Sequence, residues 1–92
     1  MSQHDWRRFL QLCLDIKDEK LLSEFFELFL THEERDSIET RVLIVRALLE
    51  QKKPQRQISE DYNVSIAKIT RGSNELKNIS PKLKRYLLTH FD

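Results

Sequence analysis

The sequence predicts an all-α protein: a six-helix chain carrying a helix-turn-helix. Three observations point there. Among 92 residues there is one Gly and only two Pro, so turns are few and short. The β-branched residues form no alternating run. Apolar residues recur instead at intervals of three and four, the spacing of one helix face.

Residues 3–18 place Trp6, Phe9, Leu10, Cys13, Leu14 and Ile16 at helical spacing, and the charged stretch from Asp15 to Lys20 holds the first break. A shorter second helix carries Leu21, Leu22, Phe25, Phe26, Leu28 and Phe29, with Glu24 and Glu27 as a narrow wet strip. Thr31-His32-Glu33-Glu34 has the capping-box form, in which hydroxyl and carboxylate satisfy free backbone N–H groups. A third helix of about twenty residues is therefore expected from His32. Within it, Ile38, Val42, Val45 and Leu49 make one stripe, and Leu43, Ile44, Ala47 and Leu48 add other faces. A helix apolar on nearly all sides has to be buried on nearly all sides. A lone chain of this size has few layers to do it, so a second subunit is expected to cover the remainder; a monomer with one well-wrapped central helix is the alternative.

Gln51-Lys52-Lys53-Pro54 closes that helix and opens a linker. Residues 55–62 and 65–77 then read as two short helices about Asn63-Val64, and Ser80-Pro81 starts the last one, with Ser as cap and Pro where its missing N–H is harmless. Leu83, Tyr86, Leu87 and Phe91 form its apolar side.

Composition excludes several classes. A single Cys13 allows no internal disulfide and suits a reducing cytosol. Trp6-Arg7-Arg8 interrupts any leader-like apolar run, and no stretch approaches the roughly 20 apolar residues of a membrane span. A soluble, cytoplasmic protein without a membrane partner is expected. His4, His32 and His90 are scattered, with no metal-ligand spacing, and no glycine-rich phosphate loop exists, so neither metal, cofactor nor enzyme is expected. The net charge of +1 conceals an asymmetry. Residues 1–50 carry 7 Lys and Arg against 11 Asp and Glu, a net of −4; residues 51–92 carry 9 against 4, a net of +5. A polyanion-binding face belongs in the second half.

Residues 55–72 supply the motif for it. Ile58 and Ser59 are the apolar and small residues where two helices cross. Asn63 is one of the few non-glycines that tolerate left-handed backbone, and Val64 and Ile69 are the apolar positions after the turn. A generic helical hairpin shares part of this pattern. Ser65 is placed to cap the second helix, leaving Ile66, Ala67, Lys68 and Thr70 at the end that enters a major groove. Ile66 and Ala67 suit thymine methyls; Lys68 and Thr70 suit base edges or phosphates. Gln55 and Arg56 suit backbone phosphates and one flanking base. Lys52, Lys53 and Lys77 are either further phosphate contacts or solvated charges. Gly72, inside the second helix, costs about 1 kcal/mol relative to Ala. Close approach of a ligand or of a neighbouring helix would each account for it.

Taken together, ITRGSN at residues 69–74 with Leu76-Lys77, Leu30-Thr31 with Glu34-Arg35, Thr40-Arg41-Val42 with Leu48-Leu49, and Gln55-Arg56 resemble the bacterial tryptophan repressor family. The matches are co-linear over residues 21–88, and Trp6 with Phe9 resembles the family's first helix. The resemblance implies an intertwined homodimer. Residues 1–53 would be dimerisation helices, 54–78 the DNA-reading head, and 79–92 a C-terminal dimerisation helix. It implies a repressor of double-stranded operator DNA, with L-tryptophan as corepressor ordering the head and a nucleoid-associated place in a bacterial cytoplasm. Arg41 and Arg71 would sandwich the indole, and Arg71 and Thr31 would hold the ligand carboxylate. The carbonyls of Leu28 and Leu30 would receive its ammonium, and Gly72 would let the ring pack closely.

Three positions depart from the family. Glu75 replaces a serine that helps hold the ammonium; a carboxylate there either pairs with it more strongly or pairs with Arg71 or Arg41 and crowds the site. Lys68 stands where threonine is common, and Pro54 where Ser or Thr caps the first motif helix. A regulator that is ungated or gated by a different aromatic ligand is the alternative that Glu75 raises. A helical protein-interaction module is the alternative from another class.

Overall fold

The computed structural model describes residues 3–91. Its elements are six helices: α1 (Gln3–Asp15), α2 (Glu19–Phe29), α3 (His32–Glu50), α4 (Gln55–Tyr62), α5 (Ile66–Leu76) and α6 (Pro81–His90). No strand occurs among the described residues, and no helix is long and apolar enough to cross a membrane. The chain divides into two compact units, one ending at Arg35 and one beginning at Asp36, so the division falls inside α3.

In the first unit, α1 stops at Asp15, at the start of the charged stretch expected to hold the first break. The reason is local: both carboxylate oxygens of Asp18 accept backbone N–H groups, from Lys20 and Leu21 at 3.3 Å each, and so begin the next helix. Phe9 joins α1 to α2 through rings. It stacks with Trp6 at 5.4 Å between centroids and meets Phe25 at 5.4 Å and, edge-on, Phe29 at 5.6 Å. Neither helix contains a fully buried residue. Leu14 and Leu28 remain 79% and 77% exposed. The capping box forms as expected: Glu34 N–H donates to Thr31 Oγ1 at 3.1 Å, and Thr31 N–H donates to Glu34 Oε1 at 2.8 Å.

In the second unit the core is small and sits where α3, α4 and α5 meet. Ile44 and Ala47 from α3, Ile58 from α4 and Ile69 from α5 are buried, with Leu43, Leu48 and Val64 packed on them. The motif's crossing point is thus also the unit's core. Asn63 is left-handed, at φ 54° and ψ 48°, and ends α4. Ser59 Oγ donates to the Val64 carbonyl at 2.6 Å, tying α4 to the residue after the turn. Ser65 caps α5 by accepting Lys68 N–H at 3.2 Å, and Ser80 caps α6 through Leu83 N–H at 3.1 Å. Pro54 gives α4 no side-chain cap; its carbonyl accepts from Gln57 and Ile58 instead, at 3.0 and 3.1 Å.

Within one chain α3 is left uncovered on much of its surface: only Ile44 and Ala47 are buried. Along the stripe, Ile38 and Val42 are exposed, while Val45 and Leu49 are half-covered. One chain contains too few helices to cover it.

Candidate functional site

A cavity of about 510 Å³ opens in the second unit, where α3, α5 and α6 converge. Such a volume lies within the range of small-molecule sites. Ile44, Val45, Leu76, Ile79, Leu83 and Leu87 make its apolar lining. Its charged lining is Arg41 from α3 with Lys68, Arg71 and Glu75 from α5. Spacing explains the second group: residues at i, i+3 and i+7 share one face of a helix. Folding supplies the first, because Ile44 packs against α5 and lies three residues after Arg41. Two guanidinium groups, distant in sequence, therefore line one partly apolar chamber.

Gly72 lines the same cavity, and its other neighbour is α3. A Cβ built on Gly72 would stand 3.0 Å from Ile44 Cγ2 and 3.6 Å from Leu48 Cδ1. Helix packing therefore accounts for the glycine, whatever else the cavity admits.

Leu28, Leu30 and Thr31 belong to the first unit. Leu30 and Thr31 line a smaller cavity of about 350 Å³ there, together with Phe26, Glu27, His32 and Arg35. The Thr31 hydroxyl accepts in the capping box, which leaves its own proton free to donate.

Ser37, Thr40, Leu83 and Leu87 also line the larger cavity, though none is among the residues the sequence marks for a ligand. Leu83 and Leu87 lie on the apolar side of α6. Their spacing of four predicts a shared face, but nothing in the sequence says which wall that face meets.

The surface expected to read DNA is continuous with α5. Arg56, Ser65, Ile66, Ala67, Lys68 and Thr70 are exposed, and Gln55 is half-buried. Thr70 Oγ1 reaches Gln55 Oε1 at 3.4 Å, which places the start of α4 beside the first turns of α5. Apolar Ile66 stands 47% exposed at the tip of α5. The neighbouring lysines differ in availability. Lys53 donates to Asp61 at 2.6 Å, and that bond holds its ammonium above the ordinary lysine range. Its Nζ also lies 5.3 Å from the Tyr62 ring centre. Lys53 thus ties the linker to α4 rather than presenting a free charge. Among the described residues no group of three His, Cys, Asp or Glu is placed to hold a metal ion.

Residues 4–90 match the family described as Trp repressor protein. A Trp operon repressor homolog of Chlamydia caviae is 51% identical over 86 residues, covering 94% of this chain and 85% of the relative. One from Chlamydia trachomatis serovar D is 50% identical, covering 94% and 92%. One from Haemophilus influenzae is 39% identical over 87 residues, covering 95% and 86%. With nearly the whole sequence matched, the chain belongs to the Trp repressor protein family.

Proposed function

We propose that this protein is a transcriptional repressor of the trp-operon type, not an enzyme, which binds operator DNA when L-tryptophan occupies the cavity between α3 and α5. The observation that carries this reading is that Arg41 and Arg71 line one chamber directly behind the recognition helix. Guanidinium planes stack on aromatic faces and pair with carboxylates, so two of them suit a flat ring bearing an acid group. Arg71 pairs with the ligand carboxylate, Glu75 with its ammonium, and Gly72 admits the ring. Gln55, Arg56, Ser65, Ile66, Ala67, Lys68 and Thr70 meet the DNA.

The protein acts as a homodimer in the cytoplasm, associated with the nucleoid. Support for the dimer comes from the uncovered stripe on α3 and from the absence of any fully buried residue in α1 and α2. Residues 1–53 and 79–92 serve dimerisation, and residues 54–78 form the head.

Gating needs different tryptophan affinities in the DNA-competent and incompetent arrangements, because only differential affinity shifts a population. Fluorescence anisotropy on a palindromic operator duplex, with and without L-tryptophan, tests the proposal. Tighter binding with the amino acid is expected, and equal affinity would remove the corepressor while leaving a DNA binder. A second reading rests on Glu75, whose carboxylate lines the cavity beside two arginines. Were Glu75 to neutralise them, the protein would be ungated or would take another aromatic ligand. Calorimetry with L-tryptophan and related indoles separates these.

A further inference from the structure

Lys68 belongs to two surfaces at once. It lines the larger cavity, and it stands exposed in the first turn of α5, beside Ile66 and Ala67 at the DNA-facing end. The remaining charges of α5 suggest which end of a ligand it meets. Glu75 lies seven residues on, about 10 Å along the axis at 1.5 Å per residue. The carboxylate and ammonium of an α-amino acid share one carbon, and Arg71 with Glu75, four residues apart on one face, suits so compact a head group. A head group held by Arg71 and Glu75, one turn apart, therefore leaves the ring end to Lys68. Helical side chains also lean toward the N-terminus, which carries Lys68 away from Glu75 and toward the DNA face.

Lysine divides naturally at such a boundary. Its methylene stem packs on apolar surface while the ammonium stays outside. The ammonium only donates; with the ligand carboxylate taken by Arg71, the acceptor left at this end of α5 is a DNA phosphate. Among the described residues, Lys68 forms no ion pair that would compete for it.

We infer that Lys68 couples the two sites: a ring in the cavity supports its stem, restricts its rotamers and holds the ammonium ready for a backbone phosphate. Ordering that contact before DNA arrives removes a cost from the binding step. The residue is then a positioning device whose phosphate contact depends on the ligand. This rests on the tryptophan-gated reading above.

The test is the salt dependence of operator binding by the full-length protein, measured with and without L-tryptophan for wild type, Lys68→Met and Lys68→Arg. Each phosphate contact contributes about 0.9 to the slope of log K against log salt. With L-tryptophan, Lys68→Met should lower the slope by about 1.8 for the two chains of a dimer; without it the slope should barely change. Lys68→Arg, which keeps a cation on a long stem, should retain the ligand-dependent slope. An equal fall under both conditions would make Lys68 an ordinary phosphate contact and overturn the inference alone. No fall under either condition would overturn it equally. A wild type whose duplex affinity ignores L-tryptophan would sink the gated reading itself, and that result is visible before any substitution is made.

Discussion

Replacing Gly72 by alanine sets two effects of comparable size against each other. In a helix interior Ala is favoured over Gly by about 1 kcal/mol. The new methyl, however, would lie 3.0 Å from Ile44 Cγ2 and 3.6 Å from Leu48 Cδ1, where carbon pairs prefer about 3.5–4.0 Å. Ile44 is 2% exposed and β-branched, so it has no free rotamer into which to retreat. Overpacking of this kind costs about 1–3 kcal/mol. The expected net is a destabilisation of up to about 2 kcal/mol, read by urea unfolding at fixed protein concentration, since an oligomer's apparent stability depends on it. The partner variant is Ile44→Leu, which removes the β-methyl at little change in volume and should itself cost under about 1.5 kcal/mol. In that background Gly72→Ala should become neutral or stabilising. A gain of about 1 kcal/mol from Gly72→Ala in the wild-type background would show that α3 and α5 do not press together there.

Three further outcomes follow from single contacts. Gln51 ends α3 with φ at 56°, a conformation that glycine adopts without strain, so Gln51→Gly should stabilise by up to about 1 kcal/mol; a lower Tm would contradict the strain. Ser59→Ala removes the donor to the half-buried Val64 carbonyl and should cost about 1 kcal/mol, with unchanged urea stability counting against any role for that bond. Arg41→Leu should weaken L-tryptophan binding by roughly 2- to 30-fold, the worth of one guanidinium face at about 0.5–2 kcal/mol. Because Arg41 is exposed, its stability should move by less than about 0.5 kcal/mol. Calorimetry returning the wild-type affinity would exclude Arg41 from the site.

Local rules account for most of what could be read in advance. The capping box at Thr31 and Glu34, the Ser65 and Ser80 caps, and the left-handed Asn63 each depend on atoms within five residues of one another. Their geometry in the structure is the one their sequence predicts. The first break falls inside the charged stretch from Asp15 to Lys20, where Asp18 supplies the cap of α2. Lys53 was grouped with Lys52 and Lys77 because composition cannot show that Asp61, eight residues away, faces it.

By itself the sequence determined the number and order of the helices and the helix-turn-helix. All of these follow from periodicity, caps and turn chemistry, which act over a few residues. Only the tertiary structure decided that Lys68, from α5, and Leu83 and Leu87, from the last helix, line the chamber that holds Arg41, Arg71 and Glu75, and that Gly72 answers first to Ile44. Those juxtapositions depend on which helix faces meet, and an amphipathic face announces that it will be buried without naming the surface that buries it.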